Sequence, residues 1–548
     1  LITLSEGNLN YNTSFADEQP IIRWKKCLRK NIFHGGNIMN KNSFISSMFS
    51  NNTFTENGMP AHTSSMSALV DMLFKMGAIR TGKVNDKIKQ DMITLFAQAF
   101  REDEEKAVKL LFYGRDIESG MGEREFFRVN SLWLIRNGYF DMVQHNLLSV
   151  DGIKNNIIRT DDIIYIANEL VILNKRFANK RYDEFIFKSM EFLFKLLEDS
   201  EISSIVAKWM PRKNGKYKEL VAYMRKNGLI STFSNYRKFI VSKTNVVEQL
   251  MSAKNWKNID LSKVPSLAMK KYRKAFRTHG ILQPFIEKVV AGEAKLHAKR
   301  LFPHEIILDL MNAVNWRPGQ NRIDPTIRSL FDEQWKALKN IDELNIDFRA
   351  LPIIDVSGSM LSYGRVPISI ALGIGFFLAE RNPNSAFRDY FITFSSSPAF
   401  QKIIGHDIAS KIENALKADW AMSTNLEETM RLILKKAISG KVPADEMPTH
   451  LIIISDMQFD RAVYQSDSNA TQMIRTLYAA AGYEMPNVIF WNAGPYDNVP
   501  AQINDNGVFL ISGKSQNNVN FILKKSYENM LSLVDEITNS SRYDFIRL

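Results

Sequence analysis

The feature that most constrains what this chain can fold into is a change of hydrophobic period near residue 345. Between about Ser65 and Asn340, apolar residues recur at spacings of three and four, as in "SALVDMLFKMGAI", "REFFRVNSLWLI", "DDIIYIANELVIL", "DEFIFKSMEFLFKLL", "PSLAMKKYRKAF" and "TIRSLFDEQWKAL". Gly, Asn or Asp punctuates these stretches, so they read as successive amphipathic helices joined by short loops. Consecutive helix pairs of this kind build a HEAT-like α-solenoid, although no repeat is regular enough to count units. After residue 345, short apolar runs appear instead, at "ALPIIDVS", "RDYFITFS", "THLIIISD", "PNVIFWN" and "NGVFLIS". Helical patterns such as "VPISIALGIGFFLAE", "NLEETMRLILKKA" and "ATQMIRTLYAAAG" separate most of them. Strands alternating with helices predict a parallel sheet covered on both faces. The expected fold class is therefore α + α/β: an irregular Asn/Ser-rich arm over residues 1–62, a helical-repeat module over 63–344, and a doubly wound parallel-sheet domain over 345–548.

Charge divides along the same line. Residues 1–350 hold 54 Lys/Arg against 39 Asp/Glu, whereas residues 351–548 hold 17 against 20. The stretch 201–300 alone carries 22 basic and 6 acidic side chains. A basic half joined to a near-neutral half points to one module that meets a polyanion and a second with another task. Cys27 is the single cysteine, so internal disulfides and thiolate zinc sites are excluded, and a reducing, cytoplasmic setting is expected. The longest apolar run, Val366 to Ala379, is about four to six residues short of a bilayer span and holds two glycines, so no membrane partner is expected.

In open α/β sheets, ligands bind where strands end and loops diverge. The first strand ends in Asp355-Val356-Ser357-Gly358-Ser359, a DxSxS sequence that places three oxygen-bearing side chains on one turn. Thr424, before a helix, and Asp456, at the end of "LIIISD", add two further oxygen donors. Carboxylate, hydroxyl and water oxygens suit a hard divalent cation, Mg²⁺ or Mn²⁺, whose open position accepts an acidic group from a protein partner. The alternative is that Ser and Asp merely cap helices after strands.

The full set resembles the metal-ion-dependent adhesion site of von Willebrand factor A domains. That resemblance puts Ser357, Ser359 and Thr424 near the metal, with Asp355 and Asp456 bound directly or through water. The chain departs from the common Gly-Thr form of the Thr loop by reading Ser-Thr-Asn. A second resemblance rests on "GRDIESGMGEREFF", "AKWMPRKNGK", "NVVEQLMSAKNWKNIDLSKVP" and "AMKKYRKAFRTHG". These are similar to motifs of a large family, cellular and viral, related to the TROVE module of the Ro autoantigen. It implies a ring of helical repeats that binds small noncoding RNA and single-stranded RNA ends, closed by a von Willebrand A domain.

Lys and Arg interleaved with aromatics over 207–280 fit phosphate neutralisation and base stacking, although many of those aromatics at helical spacing belong to the core. The polar candidates for RNA contact are Arg212, Lys213, Lys216 and Lys218, then Lys270, Lys271, Arg273, Lys274 and Arg277. In a helix the second group sweeps most of the circumference, so only part of it can face one ligand. Arg115 and Arg124 flank the turn "ESGMGER", which either offers backbone N–H groups to a phosphate or is a plain connection with an Arg–Glu pair. "SGKS" at 512–515 lacks the first Gly of a P-loop. "HEIIL" lacks the second His of a zincin, so His304 is expected to be a surface or capping residue. The leading expectation is a non-enzymatic RNA-binding protein. A protein-interaction or structural component of a larger, possibly viral assembly is the first alternative, and a metal-dependent nuclease the second.

Overall fold

The computed structural model describes residues 51–79, 84–298, 300–313, 323–338, 349–394, 398–416, 424–463, 468–519 and 529–548. Helices fill the region from Ala68 to Lys336, and their starts follow local chemistry. Asn85 accepts the Ile88 N–H at the head of Asp86–Glu102, and Asp103 does the same for the Lys106 N–H at Glu104–Arg115. Asp324 caps Pro325–Lys336, which has its proline in the first turn, where a missing N–H costs nothing. Helices that follow one another in sequence pack together, for example Thr160–Phe177 on Lys180–Leu196. A small separate core around Ile259, Leu261, Met269, Phe276 and Leu282 lies beneath the basic stretch, and one larger core runs through both halves of the chain.

The α/β part holds a six-stranded sheet. Its strands are β3 (Ala350–Asp355), β4 (Tyr390–Phe394), β5 (Ala399–Lys402), β6 (His450–Ser455), β7 (Asn487–Asn492) and β8 (Val508–Ser512), in the order β5-β4-β3-β6-β7-β8. All neighbours are parallel except β4 and β5. The five apolar runs of the sequence are the five parallel strands. β5 escaped sequence reading because it is an edge strand of four residues with half-buried and exposed positions alternating. From β3 the chain builds outward through β4 and β5, then returns to the other side of β3 to lay down β6, β7 and β8. The turning point lies between β3 and β6.

The helix Ser362–Glu380 covers β3. It is long and apolar enough to cross a membrane by composition, but it is mostly buried, between the sheet and the helix Pro303–Ala313. The two glycines of its apolar run make this sandwich possible. A Cβ at Gly375 would sit 2.4 Å from the Ile354 side chain, and one at Gly373 would sit 2.7 Å from the His304 backbone nitrogen. His304 is therefore not a surface residue. It is buried at the start of Pro303–Ala313, and burial holds its imidazole pKa well below the usual value.

The boundary near 345 separates two structural classes, but it does not separate two globules. Residues 52–62 of the expected irregular arm form a hairpin, β1 (Asn52–Phe54) and β2 (Pro60–His62), which docks on the α/β part through bridges from Gly58 to Asp460 and from His62 to Val499. Residues 1–50 lie outside the described residues. The first helix, Ala68–Lys75, packs on β8, where the Ser512 hydroxyl donates to the Leu73 carbonyl (2.9 Å) and accepts the Gly77 N–H (3.0 Å). At the other end, Arg542 Nη2 donates to Asp116 Oδ1 (2.9 Å), and Asn146 exchanges two hydrogen bonds with Arg547.

Inside the helical part, Asp162 is fully buried between two arginines. Arg115 Nε and Arg128 Nε each lie 2.7 Å from one of its oxygens, and Arg128 Nη2 reaches Asp161 at 2.7 Å. Burial pushes the Asp162 carboxyl up, but the two guanidinium groups outweigh it and hold the pKa below the ordinary carboxylate range. This stabilisation is present above the unfolded pKa and is lost as pH falls through the folded one. Asp162→Ala would leave two guanidinium groups buried without their partner. It is expected to destabilise the fold by about 3–5 kcal/mol, read as a lowered urea midpoint; a midpoint within error of wild type would refute the pairing.

Candidate functional site

At the turning point of the sheet, two carboxyls are buried side by side. Asp355 ends β3, and Asp456 follows the last residue of β6. Asp355 Oδ1 accepts the Ser357 N–H (2.9 Å) and Oδ2 accepts the Ser455 hydroxyl (2.5 Å). The Ser357 and Ser359 hydroxyls lie 3.0 Å apart. Asp456 Oδ1 accepts the Gln458 N–H (3.2 Å), while its Oδ2 is buried with no hydrogen-bond donor among the described residues. Thr424 is buried and tied to the same loop, since Asp460 Oδ2 accepts its N–H (2.8 Å) and the Asp460 N–H donates to its carbonyl (2.9 Å). Gly494 lets the next strand's loop approach, because a Cβ there would fall 2.4 Å from Asp456 Cβ.

The electrostatics follow from burial. The Asp355 carboxyl is pushed up to about 7, first by desolvation and then by the neighbouring Asp456 charge. Asp456 is raised as well, chiefly by desolvation; the Ser359 hydroxyl and the Gln458 N–H pull the other way, and the Glu56 carboxylate adds a smaller push upward. Two buried carboxyls, one orphaned oxygen and a pair of serine hydroxyls are a hard-oxygen donor set, and they fit Mg²⁺ or Mn²⁺. Asp355, Asp456, Ser357, Ser359 and Thr424 are the residues that would hold the ion, which supplies the positive charge that the buried carboxyls call for. Among the described residues no three His, Cys, Asp or Glu side chains form a metal-binding group, so the arrangement differs from a carboxylate-bridged two-metal centre.

The structure divides the basic candidates of the helical part. Arg115 is corrected: it is 2% exposed and ion-paired to Asp162, so it is not presented to a ligand. The "ESGMGER" turn is a plain connection. Its N–H groups are used internally, Met121 to the Tyr113 carbonyl, Gly122 to the Asp116 carbonyl and Glu123 to the Gly114 carbonyl, while Glu118 and Ser119 donate to Asp116 Oδ1. Arg124 is exposed and pairs with Glu125. Arg212 is half-buried, with Nη2 donating to the Ala207 carbonyl. Lys213, Lys216 and Lys218 are exposed; Lys213 lies over the Phe233 ring, and Lys216 lies near Tyr165 and Tyr217.

On the helix Ser266–Thr278, the side defined by Lys270, Arg273 and Arg277 is taken up by acids. Lys270 reaches Glu305 (3.2 Å), Arg273 reaches Asp309 (2.6 Å) and Arg277 reaches Asp324 (3.6 Å). Lys270 and Arg273 thus bind this helix to Pro303–Ala313 and are corrected from ligand-facing to structural. Lys271 and Lys274 point outward. Of the aromatics, Tyr236 and Phe276 are core.

Lys271 also lines an open cavity of about 840 Å³ in the helical part. Its walls bring together Lys154, Arg159, Lys208, Lys263 and Arg300 with the indole of Trp209. Exposed apolar side chains, Ile205 and Leu267, join them. An acid accompanies each of these five cations: Asp199 and Glu201 beside Lys154, Asp161 beside Arg159 (3.5 Å), Glu248 beside Lys208 (2.7 Å), Asp260 beside Lys263 (3.4 Å) and Glu118 beside Arg300 (3.3 Å). The Arg159 guanidinium is lowered from its usual pKa by burial, against the pull of Asp161, with the charges of Arg115 and Arg300 adding to the shift. Lys154 ends one helix and Arg159 caps the next, and only the fold brings the distant Arg300 to the same cavity, so the three were not legible as a group.

Comparison with known proteins agrees with a two-part chain. Residues 349–542 match a family described as "Domain of unknown function (DUF7788)", and residues 55–139 and 196–345 match "Domain of unknown function (DUF2828)". "Uncharacterized protein L728" of Acanthamoeba polyphaga mimivirus is 26% identical over 522 residues, which cover 88% of this chain and 86% of that one. A crystal structure of the Deinococcus radiodurans RO (RSR) protein is similar at 11% identity with a TM-score of 0.33, over 88% of this chain and 99% of that one.

The raised Asp355 pKa has a measurable consequence. A carboxyl whose folded pKa lies above its unfolded value of about 3.9 favours folding fully only at low pH. With divalent cations chelated, wild-type stability should therefore fall as pH rises from about 4 to about 7. Asp355→Asn should show a smaller loss, the part that remains coming from Asp456. Parallel pH profiles for the two proteins would contradict the burial of an uncompensated Asp355.

Proposed function

We propose that this chain is a non-enzymatic, Ro-like RNA-binding protein that takes single-stranded segments of RNA, such as the ends of small noncoding RNAs, into the cavity of its helical part. The observation that carries this reading is the lining of that cavity, which joins Arg159, Lys208, Lys271 and Arg300 with Trp209, whose ring the Arg159 guanidinium approaches to 5.9 Å. Cations neutralise phosphates and an indole face stacks bases of any sequence, which together make a site for single strands. A volume of about 840 Å³ lies in the range of built ligand sites and admits parts of a flexible strand. The exposed Lys213, Lys216 and Lys218 extend the basic surface outside it.

In this reading the α/β part is a von Willebrand A-type domain. Its Mg²⁺ or Mn²⁺ site, built on Asp355, Ser357, Ser359, Thr424 and Asp456, meets an acidic protein partner in the cytoplasm. The orphaned Asp456 Oδ2 and the paired buried carboxyls support a cation there. The DxSxS-Thr-Asp set supports the domain type.

Replacing Arg159, Lys271 and Arg300 together by Ala should weaken binding of a labelled single-stranded RNA. It should also flatten the slope of log affinity against log salt by up to about 2 units. An unchanged slope in the folded variant would remove the cavity from the interface. Shortening of the RNA in Mg²⁺ by the wild type, but not by Asp355→Asn, would replace the binding protein with a nuclease.

A further inference from the structure

The candidate metal site has a neighbour far away in sequence. The hairpin β1–β2 docks on the strip that follows Asp456. Thr55 Oγ1 donates to the Phe459 carbonyl (2.6 Å), the Glu56 N–H to Gln458 Oε1 (2.7 Å), and Asn57 Nδ2 to the Gln458 carbonyl (2.7 Å). The Arg461 N–H returns a bond to the Asn57 carbonyl (3.1 Å). The same strip builds the site, since the Gln458 N–H donates to Asp456 Oδ1 and Asp460 holds the Thr424 backbone. Docking of the hairpin and placement of two metal-type residues thus share one segment of six residues, 456–461.

The hairpin's turn carries a single acid, Glu56. It is exposed, its N–H is bonded to the Gln458 side chain two residues from Asp456, and its negative charge raises the pKa of both the Tyr496 phenol and Asp456. Beside two buried carboxyls, a third acid opposes docking unless positive charge sits among them. Asp456 Oδ2, buried and without a donor among the described residues, marks where a ligand is called for. Glu56 stands back from the pair, as no three such side chains form a metal-binding group among the described residues, so it acts by charge or through water.

We infer that Glu56 is the outer acid of the divalent-cation site, supplied by the chain's own β1–β2 hairpin, so that cation binding clamps the hairpin onto residues 456–461. An acidic partner then reaches the site by displacing the chain's own acid. By linkage, the cation tightens hairpin docking by the same factor by which the docked hairpin tightens the cation. This inference rests on the metal reading of Asp355 and Asp456.

The test titrates Mn²⁺ alone into the full chain by calorimetry for wild type, Glu56→Gln and Asp355→Asn, and follows amide hydrogen exchange of residues 51–62 with and without Mn²⁺. Asp355→Asn is expected to abolish Mn²⁺ binding. Glu56→Gln should weaken it by about tenfold, the scale of losing an outer-shell partner, and should remove the Mn²⁺-dependent protection of the hairpin. If Glu56→Gln binds Mn²⁺ as tightly as wild type and Mn²⁺ leaves hairpin exchange unchanged, the role of Glu56 falls while the metal site stands. If wild type takes up no Mn²⁺ at millimolar concentration, both fall.

Discussion

A carboxylate withdrawn from water needs positive charge or hydrogen-bond donors, and this chain meets that demand in two ways. Asp162 is held by Arg115 and Arg128, and Asp116 by Arg542 and the Tyr543 phenol. Those are closed arrangements that fix helices to one another and the chain's end to its helical part. Asp355 receives the Ser455 hydroxyl, the Ser357 hydroxyl and the Ser357 N–H, with no ion pair to it among the described residues, and one oxygen of Asp456 has no donor among them. The difference separates carboxylates that hold the fold from a buried pair that has no arginine or lysine against it among the described residues. It also places the open pair at the turning point of the sheet, where β3 and β6 part company and their loops diverge.

Much of this was legible in the sequence where the physics is local. Five buried parallel strands read as apolar runs because both their faces are covered, and the DxSxS turn, Thr424 and Asp456 could be placed from strand ends alone. Pairing over long distances was not legible. Arg115 looks like a basic residue beside a Gly-rich turn until Asp162 is found against it, and Lys270 and Arg273 look like a basic helix face until Glu305 and Asp309 cover it. The same blindness hid the cavity, whose cations come from helices and connections spread between Lys154 and Arg300. It also hid the hairpin, whose strands of three residues carry no periodic pattern and are held by residues some 400 positions away.

The two halves are neither independent beads nor a blended fold. The first helix closes the sheet at β8, the last residues return to the helical part, and Gly373 and Gly375 let one apolar helix serve both halves. Cavity and carboxylate pair therefore sit in one mechanical unit, Asn51–Leu548.

The central claim is that single-stranded RNA enters the helical cavity. The most direct measurement is ultraviolet cross-linking of a labelled single-stranded RNA to the full chain, with cross-linked peptides identified by mass spectrometry. Cross-links concentrated at Trp209 and Tyr272, and competed away by unlabelled RNA, are the predicted result. Cross-links confined to the α/β part, or none under conditions where binding is seen, would contradict it.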